Sequence, residues 1–155
     1  MDYLLLPEGR EQAYIGHARR IAAARFPNLL NGDYTAIIDQ RQYDRLQAML
    51  QDAQAQGATL IPLLPGQAGD AARRILPPVL VLNATPAMQL LQREIFGPIL
   101  PILTYRSQEE VVQYINARQH PLALYIYSHD KAVQDFYLHH TLSGGVSIND
   151  SLIHT

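Results

Sequence analysis

Short unbroken apolar runs alternate along this chain with longer stretches in which apolar residues return every three or four positions. Tyr3-Leu4-Leu5-Leu6 reads as a short buried strand stopped by Pro7. From Glu8 to about Arg25, the acidic start at Glu8 and Glu11 and the spacing of Ile15, Ala18, Ala22 and Phe26 predict an amphipathic helix. Arg20 and Arg25 fall towards its polar side, and Phe26-Pro27 ends it. Asp39 is placed to cap a second helix through Gln56, with the stripe Tyr43, Leu46, Leu50 and Ala53, closed by Gly57.

Thr59-Leu60-Ile61 and Val79-Leu80-Val81-Leu82 are apolar without alternation, the pattern of strands covered on both faces, as in parallel sheets. Met88 to Arg93 fits one or two helical turns, and Ile99 to Leu103 is a strand. Ser107, with Glu110 three residues later, forms a capping box before Val111, Val112 and Ile115. Leu122 to Tyr127 is a strand, and Asp130 opens a helix with Val133, Phe136 and Tyr137 inward. Gly144-Gly145 breaks that helix, and Val146-Ser147-Ile148-Asn149 is a last strand. This alternation predicts an α/β fold, a mostly parallel sheet flanked by helices with right-handed crossovers. Pro65-Gly66-Gln67-Ala68-Gly69-Asp70 is the only candidate linker, small and polar enough for a surface loop.

At 155 residues the chain has the length of one domain. It can bury roughly two-thirds of its extended-chain surface around a single core. A formal charge of -2 and a pI near 6.3 give no electrostatic reason to expect nucleic acid or an acidic membrane surface. Cysteine is absent, which removes disulfides, thiolate catalysis and sulfur-ligated metals together. The apolar run near Met1 has no basic flank and is too short for a signal peptide or membrane span, so a soluble cytoplasmic protein is expected.

Two constellations offer chemistry and fall short on spacing. His139-His140, with His154 and Asp135, would have to converge on a metal, yet neighbours on a helix point about 100° apart. Solvent-exposed or core-edge histidines fit better. Ser143 precedes Gly144-Gly145, but neither a nucleophile elbow nor a phosphate-loop pattern surrounds it.

The densest chemistry lies in Glu94-Ile95-Phe96-Gly97-Pro98, directly before an apolar strand. An ionised Glu94 offers two acceptor oxygens, which suits a vicinal diol such as a ribose. Phe96 supplies a flat apolar face, Gly97 allows a backbone or ligand to approach closely, and Pro98 suits the start of a strand. The same residues also fit a plain connection: a solvated carboxylate, a phenylalanine filling the core and a turn that redirects the chain.

Those five residues resemble the glutamate-isoleucine-phenylalanine-glycine-proline motif of the NAD(P)-dependent aldehyde dehydrogenases. Asn116 to Tyr125 is similar to the stretch in which that family passes from a helix into a proline-leucine-alanine-leucine strand. Ser143 to Asp150 is similar to its later glycine-glycine-valine strand ending in asparagine. Asp2 to Pro7 and Asn149 to His154 look most like the coniferyl aldehyde dehydrogenase branch.

The resemblance implies a fold, a reaction and a set of roles. Residues 1–155 would be a single partial catalytic domain of an enzyme that oxidises aldehydes, aromatic ones by the branch, to carboxylic acids with NAD or NADP. The family reaction is thiolate attack, hydride transfer to the nicotinamide and hydrolysis of the thioester. Glu94 carries over as the group holding the nicotinamide ribose hydroxyls, and Phe96 as the ring beside them. Arg93 departs from the family, which commonly has a second acidic residue there. Asn149 carries over as a structural residue near the active site, with Ser151, Leu152 and Ile153 towards the aldehyde. The family's cysteine lies shortly before the segment that Asp2-Tyr3 matches, where Met1 stands. Its nucleotide-binding domain and general base lie further upstream, and its oligomerisation strand beyond Thr155.

The isolated chain is therefore expected to be inactive and to hold NAD poorly, since one ribose clamp leaves most of the cofactor unheld. Exposed apolar surface favours self-association or pairing with a missing N-terminal portion, with no nucleic-acid or membrane partner. A non-catalytic self-associating module, or a degenerate relic, is the alternative.

Overall fold

The computed structural model describes residues 2–151, and its contacts fall into two compact units, one up to Thr104 and one from Tyr105 onward. In the first, β1 (Leu4–Pro7), β2 (Thr59–Pro62), β3 (Val79–Leu82) and β4 (Ile99–Tyr105) form a sheet in the order β1-β4-β3-β2. Helices α1 (Glu11–Arg25) and α2 (Gln40–Ala55) accompany it. In the second, β5 (Ala123–Ile126) and β6 (Gly145–Ile148) pair alongside α3 (Gln108–Asn116) and α4 (Lys131–His140). Among the described residues no helix is long and apolar enough to cross a membrane.

The first sheet is covered on both faces, as its unbroken apolar strands require. Leu80 packs with Ile15 of α1 and with Ile102, whereas its neighbour Val81 joins Ile99 and the apolar stripe of α2. Successive residues of a strand face opposite ways, so one dipeptide of β3 anchors both layers. The α2 stripe is Tyr43, Leu46, Leu50 and Ala53 as expected, with Met49 buried beside them.

The α/β class and the mostly parallel pairing are what form: β3 runs parallel to β4, with Val79 opposite Ile99, and β5 runs parallel to β6. β2 departs from its reading as a parallel-type strand and lies antiparallel to β3, with Thr59 opposite Leu82. A parallel return needs a crossover, usually a helix, and the connection between β2 and β3 contains none. That connection includes the candidate linker, which is a surface loop pinned at Gln67. The Gln67 side chain accepts from the Leu29 amide at 2.8 Å and donates to the carbonyls of Phe26 and Pro27 at 3.2 and 3.3 Å.

Helix starts follow their caps. Asp39 accepts from the Gln42 amide at 2.7 Å, Ser107 from Glu110 at 3.3 Å, and Asp130 from Ala132 at 2.8 Å. The Glu110 carboxylate reaches back to the Arg106 amide at 2.8 Å, closing the box one residue earlier than the standard pattern. The reading of Gly144-Gly145 as the stop of the last helix needs correction, because α4 already ends at His140. The pair instead lets β6 approach β5. A Cβ at Gly144 would lie 2.7 Å from the Leu122 carbonyl oxygen, and the Gly144 and Gly145 amides donate to Pro121 and Leu122.

Candidate functional site

The motif loop sits between the short 3-10 turn Gln89–Leu91 and β4, against the first half of α2. Its residues alternate sharply in burial. Glu94 is exposed, Ile95 is 1% exposed within the main core, and Phe96 is 77% exposed. The plain-connection reading places the Phe96 ring in the core, and the ring is instead turned outward from this unit, whereas Glu94 is exposed as that reading also expects. The Phe96 backbone is also unusual, with φ +46°, a left-handed conformation that bulky side chains rarely adopt.

Gly97 does allow a close approach, and the atoms nearest it belong to a side chain. A Cβ there would lie 2.6 and 2.7 Å from the two terminal methyls of Leu46, which is fully buried. The Pro98 carbonyl then accepts from the Val79 amide at 2.9 Å and starts the pairing with β3.

Sequence reasoning missed the residue that grips this loop. Arg45 of α2 donates through Nη1 to the Glu94 carbonyl at 3.1 Å and through Nη2 to the Ile95 carbonyl at 2.5 Å. Its Nε donates to the Gln42 side chain at 2.7 Å, and Nη1 also lies 3.6 Å from the Met49 sulfur. On the other side of Ile95, the amide donates to the Asp2 carboxylate at 3.3 Å. Nothing local marks Arg45, which reads as one more cation on the polar side of an amphipathic helix.

Glu94 and Phe96 line an open surface depression of about 710 Å³ together with Ile38, Asp39, Gln42 and Arg45. Ile38, 84% exposed, gives this depression a second apolar wall. Its neighbour Ile37 is fixed to Arg74 by two bonds of 2.9 Å, one from the Ile37 amide and one from the Arg74 guanidinium. The depression therefore combines an exposed carboxylate with apolar faces, a set suited to a sugar hydroxyl pair attached to a flat ring. Arg93 is exposed beside it, its amide donating to the Gln89 carbonyl at 3.2 Å.

The remaining candidates lie in the second unit. Asn149, at φ +56°, accepts from the Ser128 amide at 2.9 Å and donates to the Ser128 carbonyl at 3.0 Å, a structural tie just ahead of α4. Ser151 is half-buried, whereas Leu152, Ile153 and His154 lie outside the described residues. His139 and His140 each bond the carbonyl four residues earlier in α4, and His140 stacks on Phe136. Among the described residues no group of three or more metal-ligating side chains converges. Ser143 donates to the Gly145 carbonyl at 3.0 Å.

The sequence profile of the Aldehyde dehydrogenase family matches residues 17–155. The chain belongs to the aldehyde dehydrogenase family. It is 44% identical, over 99% of its length, to the probable coniferyl aldehyde dehydrogenase of Pseudomonas aeruginosa, and 42% identical to the coniferyl aldehyde dehydrogenase of a Pseudomonas species. Its fold matches the substrate-bound state of Staphylococcus aureus AldH with a TM-score of 0.88 and 32% identity, covering 99% of this chain. The chain spans about a third, 32%, of the length of each of these three proteins. The family uses NAD or NADP.

Proposed function

We propose that this chain forms part of the catalytic domain of an NAD(P)-dependent aldehyde dehydrogenase and supplies the surface that holds the nicotinamide ribose. The outward display of Glu94 and Phe96 on either side of a buried, gripped Ile95 carries this reading. A loop that only redirected the chain would gain nothing from exposing a phenyl ring at positive φ. The Glu94 carboxylate would accept hydrogen bonds from the ribose hydroxyls, and the Phe96 ring would offer the sugar an apolar face. A bound nicotinamide would supply the hydride acceptor, and the residues of this chain would bind and orient it. The names of the relatives favour aromatic aldehydes as substrates and carboxylic acids as products. The cysteine nucleophile comes from sequence other than these 155 residues, and a cytoplasmic location belongs to the same reading.

A second reading, a self-associating module without catalysis, draws support from Leu122 and Leu142, 79% and 66% exposed in the second unit. Titration of the isotope-labelled chain with nicotinamide mononucleotide separates the two. The ribose reading expects weak, saturable shifts of the Glu94, Phe96 and Gly97 amides, with binding about tenfold weaker in Glu94→Gln, the scale of one hydrogen bond to a charged acceptor. A response spread over other surfaces, or one that Glu94→Gln leaves unchanged, would overturn it and leave the association module.

A further inference from the structure

We propose that Arg45 and Asp2 are positioning residues which hold the Ile95 backbone, Asp2 through its amide and Arg45 through its carbonyl, and so set the direction in which Glu94 and Phe96 are displayed. The inference rests on the ribose reading for its purpose, but its geometry stands by itself. A carboxylate takes the Ile95 amide, and a guanidinium takes the Ile95 and Glu94 carbonyls. Consecutive carbonyls of an extended chain point to opposite sides, so two that meet one guanidinium define a turned backbone. Aligned carbonyl dipoles repel each other, and the shared cation offsets that repulsion. The turn continues into Phe96 at φ +46°.

Neither flank of the turn can relax easily. The Ile95 side chain is 1% exposed, and Gly97 lies against Leu46. Arg45 is itself oriented, by Gln42 on one side and Met49 on the other. The three segments that meet here, around Asp2, Arg45 and Ile95, are far apart in sequence, and only the folded unit brings them together. Each guanidinium nitrogen of Arg45 has a protein acceptor, and on this proposal the residue acts on a ligand through the loop and not as a cation presented to a phosphate.

That distinction supplies the test. Hydrogen exchange of the Ile95 amide is measured in the wild-type chain, Arg45→Lys, Arg45→Met and Asp2→Ala, together with the affinity of nicotinamide riboside and of nicotinamide mononucleotide. Arg45→Met is expected to speed exchange of the Ile95 amide about tenfold, although it removes a contact only to the carbonyl side, the scale of one charge-assisted hydrogen bond. Arg45→Lys, which reaches one carbonyl where Arg45 reaches two, falls between. Both ligands, with and without phosphate, weaken by the same factor. Unchanged exchange in Arg45→Met would overturn the proposal, as would a loss confined to the phosphorylated ligand. Should Arg45→Met fail to fold, Arg45→Lys and Asp2→Ala carry the same comparison. Absence of any ligand response in the wild-type chain would refute the ribose reading alone, since the exchange measurement still decides the grip.

Discussion

Mixed with NAD or NADP and an aromatic aldehyde, the 155-residue chain is expected to form no reduced nicotinamide above a buffer control. Its sequence contains no cysteine, so no thiolate can attack the carbonyl. Neither Ser143 nor Ser147 offers a substitute. Ser143 is bonded to the Gly145 carbonyl, and Ser147 is buried in β6 with no activating base among its contacts. A serine needs such a base because its own pKa leaves it unreactive near neutrality. Absorbance at the reduced-nicotinamide band over hours, at high protein concentration, is the measurement. Turnover that scales with chain concentration would show that the chemistry has another nucleophile.

The second large effect is on stability. Leu46→Ala is expected to destabilise the first unit by about 3 kcal/mol, the usual cost of emptying a fully buried leucine position. Leu46 also sets the space around the motif, because its methyls occupy the place a Cβ at Gly97 would need. Gly97→Ala alone should cost about 1 to 2 kcal/mol through overpacking. In the Leu46→Ala background the added methyl meets open space, and the Gly97→Ala penalty should shrink or reverse. Urea unfolding of the four chains closes the cycle. Additive losses would mean that the two residues do not compete for one volume.

The parts of the fold that were legible in the sequence are those fixed by near neighbours. Asp39, Ser107 and Asp130 declare helix starts because a cap acts over two or three residues. The unbroken apolar strands declare burial on both faces, which Leu80 and Val81 satisfy in opposite directions. Strand direction is different in kind. It depends on what the connection contains, and the segment between β2 and β3 has neither the helix of a crossover nor the brevity of a hairpin.

At the site, residue types were legible and their geometry was not. Gly97 reads as a place of close approach, and the approach is made by the Leu46 side chain, while the left-handed residue is Phe96. Arg45 and Asp2 left no sequence signal, because each meets the loop only once the sheet and α2 are assembled. The resemblance supplied Glu94 and Phe96 from the motif alone. The structure adds that both are exposed on one surface depression, which composition and periodicity cannot show.

The central claim is that the Glu94 carboxylate recognises a vicinal diol attached to nicotinamide. Titrating the labelled chain with nicotinamide riboside, and then with its counterpart lacking both ribose hydroxyls, tests that directly. The account predicts shifts at Glu94 and Phe96 with the first ligand, and binding weaker by about tenfold or more with the second, since the hydrogen bonds to a charged acceptor are lost. Equal affinity for the two ligands would contradict it.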